Sequence, residues 1–313
     1  MKRITGSFFD VVHHNAGESD YWHDDVVAYR EAGWLLFMEH MRDSGLDTVI
    51  LIGAVSRGRS VFPGHPFLSV HDELAGFDPV EAALAGADAA GLHFNMGLGF
   101  QESYSHEIAN TPEAVDRTLR LAETLLERYG EHPSFGTWYI ADEFGFNELG
   151  CFNPEPTGYV EAVSRELDRM TPHMRRMISP YFHTNCAVPD ADALTPQLER
   201  MGVHTVSVQN GANRPEITEE HFVNIRRAFD RVEAEFWGNV ELFAFEHDSP
   251  DHSAPLIPGP FERILTQIAW IEPYADKLIS YQLMGLMNDI GLGRQPEAAE
   301  LWRSYMAEFA PAG

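Results

Sequence analysis

A regular alternation limits how this chain can fold: short apolar, β-rich runs are each followed by a longer amphipathic helical stretch. The runs begin near Ile4 (ITGSFFDVV), Thr48 (TVILIGAV), Gly91 (GLHFNMGLGF), Phe135 (FGTWYIADEF), Met177 (MISPYFH), Val203 (VHTVSVQN), Val240 (VELFAFEHD) and Lys277 (KLISYQLMGLMN). That makes eight strand candidates. Strands this apolar are buried on both faces, the pattern of a parallel sheet covered by helices. Thr111-Pro112-Glu113 offers an N-cap, a proline at the first helical position and an acid in the first turn. Thr218-Glu219-Glu220 does the same without the proline. Gly45, Gly91, Gly130, Gly202 and Gly238 read as helix stops just ahead of a strand.

The opposite connections are longer. Residues 13–24, 55–77, 98–110, 144–156 and 247–260 are rich in His, Asn, Gly, Pro and aromatics. Long loops at one end and tight turns at the other predict a single α/β domain over residues 1–313, a (β/α)8 TIM barrel with its site at the C-terminal ends of the strands. An open doubly wound sheet shares the alternation. Its phosphate fingerprint is not met, because the nearest candidate, Gly97 and Gly99, has Glu102 where the third glycine belongs.

The charge bounds the partners. A formal net charge of −26 repels phosphate backbones and anionic lipid surfaces, which disfavours nucleic acid and membranes and leaves a neutral small-molecule carbohydrate compatible. Asp10 interrupts the apolar run behind Lys2 and Arg3, so no signal peptide is read. No run approaches the roughly 20 apolar residues of a membrane span. Cys151 and Cys186 match no metal or redox spacing and read as ordinary thiols of a reducing compartment. A cytoplasmic protein without a cofactor or a bound metal is expected.

The chemical signal is a repeated pattern. The fourth run ends Ile140-Ala141-Asp142-Glu143-Phe144 and the seventh ends Ala244-Phe245-Glu246-His247. Both hold Ala-x-Glu, and side chains two apart on a strand share a face. Small residues one layer below leave room for a ligand above. Strands four and seven lie on roughly opposite sides of such a barrel, so Glu143 and Glu246 would face each other across its mouth. Two carboxyls about 5–5.5 Å apart are the arrangement for retaining glycoside hydrolysis.

Glutamates at these two strand ends resemble the retaining glycoside hydrolases of clan A. The resemblance implies Glu143 as acid/base and Glu246 as nucleophile. The chain is also similar to a group of bacterial barrel proteins with a GSFFD-like first strand and a DTVILI-like second strand. It departs from the clan at Asp142, where an asparagine usually precedes the acid/base. It departs again at Gln209-Asn210, where an aromatic often stands on strand six, and at Tyr281-Gln282, where the clan has a tryptophan.

Other strand ends supply candidate sugar contacts: Asp10, Arg57, His93, Asn95, Tyr181, His183, Gln209, Asn210 and Gln282, with Asp142 beside the acid/base. Trp34 and Trp138 read as core, whereas Trp22, Tyr104 and Phe146 are candidates to stack on sugar rings. Two rival functions use the same barrel. A metal-dependent sugar isomerase or epimerase would draw on Glu143, His183, Glu246 and His247. A carbohydrate-binding barrel would hold sugar without turnover.

Overall fold

A computed structural model describes residues 1–99, 110–183, 185–211, 217–247 and 254–309. Eight parallel strands close into a barrel. They are β1 (Ile4–Phe9), β2 (Thr48–Leu51), β3 (His93–Gly97), β4 (Phe135–Tyr139), β5 (Arg175–Ile178), β6 (Thr205–Gln209), β7 (Glu235–Glu241) and β8 (Lys277–Tyr281). Each pairs with its neighbours in chain order, and β1 closes the ring against β8 through Gly6↔Ile279 and Ser7↔Ser280. The helices are α1 (His23–Ala28), α2 (Glu31–Asp43), α3 (Pro79–Ala90), α4 (Pro112–Tyr129), α5 (Pro154–Met170), α6 (Ala191–Met201), α7 (Glu219–Phe229), α8 (Phe261–Ile271) and α9 (Pro296–Phe309).

Period-two alternation splits the core into two bodies. Phe8, Ile50, Ile52, Tyr139, Ala141, Met177, Trp237 and Ile279 pack with one another inside the barrel. Phe9, Val49, Leu51, Phe94, Trp138, Ile140, Ile178, Val206 and Phe236 point the other way, into the layer shared with the helices. Trp34 and Trp138 are fully buried there, as expected.

The helix ends follow the sequence in part. The Thr111 hydroxyl accepts the Ala114 N–H and caps α4. Gly91 and Gly202 take the left-handed conformation, φ 71° and 61°, and stop α3 and α6. Gly130 follows α4 in a right-handed conformation instead. Gly238 is no helix stop: it lies in the middle of β7. A Cβ there would stand 2.6 Å from Ile271 Cδ1 of α8 and 3.0 Å from Leu278 Cδ2 of β8. The glycine is needed for close packing of a strand, so β7 begins earlier than the sequence reading placed it.

Loop lengths are asymmetric. The returns before β2, β3 and β6 are a few residues long, whereas 52–78 and 242–260 join strand to helix at the other end. The second of these loops carries an antiparallel hairpin, Phe243–Phe245 against Leu256–Pro258. Among the described residues no helix is long and apolar enough to cross a membrane.

Candidate active site

The side chains at the mouth follow from the interior pattern. Phe8, Tyr139, Met177, Trp237 and Ile279 face inward. Continuing each alternation along its chain brings Asp10, Ala141 then Glu143, Ser179, Asn239 then Glu241, and Tyr281 to the C-terminal rim. On β6 the same parity brings Ser207 and then Gln209.

Glu143 is where the sequence put it, beyond Ala141 of the interior core. Its Oε1 accepts the Gln209 Nε2–H at 3.0 Å, and the same amide lies 3.3 Å from the Ser179 carbonyl. Gln209 thereby ties the acid of strand four to strands five and six. Asp142 turns the opposite way. The Tyr159 hydroxyl of α5 donates to its Oδ2 at 3.1 Å and is 2.7 Å from Thr118 Oγ1 of α4. Burial pushes the Asp142 carboxyl up to about 7. The expected sugar contact is instead an anchor to the helix layer that holds the backbone under Glu143.

Strand seven differs from the expectation. Its inward residues are Trp237, Asn239 and Glu241, so the acid at its end is Glu241, which is 8% exposed. The Glu241 N–H donates to Asn210 Oδ1 at 3.3 Å. The Arg263 guanidinium, held by the Phe243 carbonyl at 2.6 Å, feels the Glu241 charge while burial lowers its own pKa. Glu246 lies five positions further on, past the hairpin strand Phe243–Phe245, with a side chain 43% exposed. Its Oε1 accepts from the Tyr21 hydroxyl. The structure therefore places Glu246 on an outer hairpin and Glu241 at the strand end. The signal for Glu241 was present in the alternation of EFWGNVE, and Gly238 masked it.

A second cluster descends from strand one. His13 Nδ1 lies 2.9 Å from the Asn15 carbonyl and 3.1 Å from the Asn15 N–H; with the proton on Nδ1, Nε2 accepts from the Tyr281 hydroxyl at 2.6 Å. Asp10 Oδ2 is 3.9 Å and Glu18 Oε2 3.7 Å from that nitrogen. Burial raises the Asp10 pKa well above its usual range; Gln282 opposes the shift, and the charge of Glu18 adds to it. Burial, reinforced by the charge of Glu143, pushes Glu18 up to about 8. Burial likewise drives the His13 pKa well down, with the charge of His14 helping. His13 and Glu18 escaped the sequence reading, because a loop has no period to mark which side chains turn inward.

The remaining expectations divide. Arg57 reaches the rim, its Nε donating to the His13 carbonyl at 2.8 Å, and its charge lowers the pKa of Asp10. Tyr181 and His183 pack edge to face, 4.8 Å between centroids, on a short strand, Tyr181–Phe182, which pairs with Gly145–Phe146 just past Glu143. Gln282 and Asn210 are buried beside Asp10 and Glu241. Asn95 is an interior residue below the mouth, its Nδ2 3.2 Å from Met177 Sδ. His93 is a correction: it starts β3, exposed, at the N-terminal end of the barrel, opposite the mouth. Trp22 is another, because its ring is buried against Gly285 and cannot meet a sugar. Phe146 is likewise buried, stacked on Phe182 at 4.9 Å. Tyr104 lies outside the described residues.

The metal set of the isomerase reading is not brought together among the described residues. Glu246 and His247 are exposed on the hairpin, while Glu143 is bound to Gln209. The grouping whose donor atoms do converge is His13, His14 and Glu18.

Fold and site together define a (β/α)8 barrel with an acid-rich mouth built from strand ends. The chain belongs to the family described as a domain of unknown function (DUF4434), which matches residues 4–299. No curated protein matches the chain. Among solved structures it is similar to a putative alpha-L-fucosidase from Bacteroides thetaiotaomicron, with 18% identity, a TM-score of 0.76, and coverage of 97% of this chain and 94% of that one. It is also similar to the GH99 endo-alpha-mannosidase of the same organism (11% identity, TM-score 0.55, 99% and 98% covered). A third likeness is to a beta-galactosidase from the psychrophilic Marinomonas ef1 (11% identity, TM-score 0.56, 97% and 58% covered). These likenesses establish the barrel.

Proposed function

We propose that the protein is a retaining glycoside hydrolase in which Glu143 is the acid/base and Glu241, in place of Glu246, is the nucleophile. The observation that carries this reading is the pair of inward acids at the ends of strands four and seven, with Gln209 of strand six between them. Protonated Glu143 gives its proton to the glycosidic oxygen as the bond to the anomeric carbon breaks. Glu241 forms a bond to that carbon from the other face. Water then attacks the glycosyl-enzyme, Glu143 takes its proton, and Glu241 leaves as carboxylate. The names of the similar structures, a fucosidase, a mannosidase and a galactosidase, suggest the sugars to try first.

The test is a panel of aryl fucosides, galactosides and mannosides of both anomers. Glu143→Gln should lose about 10²–10⁴-fold in turnover on substrates with poor leaving groups and less on activated ones. Product with the anomeric configuration of the substrate, seen first by NMR, marks retention. Inverted first product would exclude Glu241 as a nucleophile. Glycan binding without turnover by the parent protein would favour a carbohydrate-binding barrel instead.

A further inference from the structure

We propose that the His13–His14–Glu18 loop is a binding site for one divalent metal ion of zinc-like character, placed at the barrel mouth beside Glu143. The two imidazoles stack with centroids 4.3 Å apart and planes 26° from parallel, so one ring must rotate about its Cβ–Cγ bond for both Nε2 lone pairs to meet one ion. Both present Nε2 to the same carboxylate oxygen: Glu18 Oε2 is 3.7 Å from that of His13 and 3.8 Å from that of His14. All three donor atoms lie within 4.8 Å of one another. Ligands about 2.0–2.1 Å from a tetrahedral ion stand about 3.3 Å apart, so each histidine–carboxylate pair need close by only about half an ångström. Two imidazoles and one carboxylate suit zinc better than calcium or magnesium, which prefer all-oxygen shells.

The surroundings fit a cation on independent grounds. His13 is oriented from behind as metal-bound histidines usually are, with Nδ1 on a backbone carbonyl and the Nε2 lone pair forward. That lone pair is the one the Tyr281 hydroxyl meets at 2.6 Å, so the Tyr281 side chain must swing aside when an ion enters. Asp10, 4% exposed, holds a second buried carboxylate 3.9 Å from the same nitrogen. Its Oδ2 accepts no hydrogen bond from the described residues. Three protein ligands leave one coordination position open, the mark of an ion that takes water or a substrate oxygen. Glu18 lies close enough to Glu143 to feel its charge, so the ion would share the mouth with the proposed acid/base. A sugar hydroxyl is the ligand this geometry would admit.

The site is tested as binding, so its failure is separable from failure of the hydrolase reading. Full-length protein is stripped with a chelator and titrated with zinc chloride by calorimetry. One ion per chain is expected, with His14→Ala and Glu18→Gln each weakening binding about tenfold or more and His93→Ala, at the far end of the barrel, leaving it unchanged. Cobalt substitution should give the visible absorption of a four-coordinate ion in the parent protein and not in the two variants. His14 is partly exposed, so His14→Ala decides the matter if circular dichroism shows Glu18→Gln misfolded. No saturable zinc binding by the parent, or stoichiometric binding that His14→Ala retains, overturns the proposal.

Discussion

The chain after strand four and the chain after strand seven carry the same Ala-x-Glu pattern and use it differently. After β4 the inward alternation runs on from Tyr139 through Ala141, which is still part of the interior core, to Glu143 at the rim. In β7 the inward residues Trp237, Asn239 and Glu241 have reached the rim before Ala244 begins. Ala244 and Phe245 pair antiparallel with Ile257 and Leu256, in a hairpin outside the barrel. An alternating pattern says that a segment is extended. Which sheet it joins depends on partners remote in sequence, and those a local pattern does not contain.

The largest expected effect separates the two acids of the seventh segment. On any glycoside that the parent protein hydrolyses, Glu241→Gln should lower kcat/KM by about 10³-fold or more, and Glu246→Gln by less than about threefold. Steady-state kinetics on the same aryl glycoside measures both. The opposite order would return the nucleophile to the hairpin and end the distinction drawn between the two regions.

The next effect concerns the residue that displaced the expected strand. Gly238→Val should destabilise the protein by about 3 kcal/mol, because its methyls enter space already held by Ile271 and Leu278. Denaturant unfolding measures it. An unchanged midpoint would mean that α8 can move away from β7 and that the glycine is incidental.

Much of the barrel was legible because each strand is a short apolar run. Trp34 and Trp138 read as core from their place within regular elements, and the period-two spacing puts Ala141 on the inward face. The site was most legible where a side chain continues a strand, as at Asp10, Glu143 and Gln209. It was obscured at Gly238, since glycine serves both helix stops and close-packed strands, and nothing local tells the two apart. It was obscured again at Trp22, a loop residue buried against a distant glycine, and at His13 and Glu18, which are brought together by loop backbone. Asp142 was misjudged because its partners, Tyr159 and Thr118, come from two helices.

Asp142 offers the third test, on the strand-four side of the comparison. Its folded pKa, about 7, lies above the ordinary 3.8, so the native state holds a proton that the unfolded chain releases. Stability from this group is therefore fully present below about pH 4 and is lost as the pH rises through about 7. Asp142→Asn keeps an acceptor for the Tyr159 hydroxyl without the charge. The difference in unfolding free energy between parent and variant should shift in favour of the variant as the pH rises from about 4 through about 7. A pH-independent difference would show that the folded protein holds Asp142 at its ordinary pKa.

The smallest expected effect is on the outer hairpin. Tyr21 and Glu246 meet there through a hydrogen bond, and the Tyr21 hydroxyl is fully exposed. Water replaces an exposed partner at little cost, so such a bond adds little to stability. The hairpin is held elsewhere by its main chain: the Leu256 N–H donates to the Glu18 carbonyl at 3.0 Å, and the Leu256 side chain is buried. Tyr21→Phe should then leave the melting temperature and the rate on any hydrolysed glycoside within error of the parent protein. A clear loss of rate with an unchanged melting temperature would make the hairpin part of the substrate site. The two Ala-x-Glu segments would then be separate walls of one cleft, as the sequence pattern first suggested, with Glu241 as the acid between them.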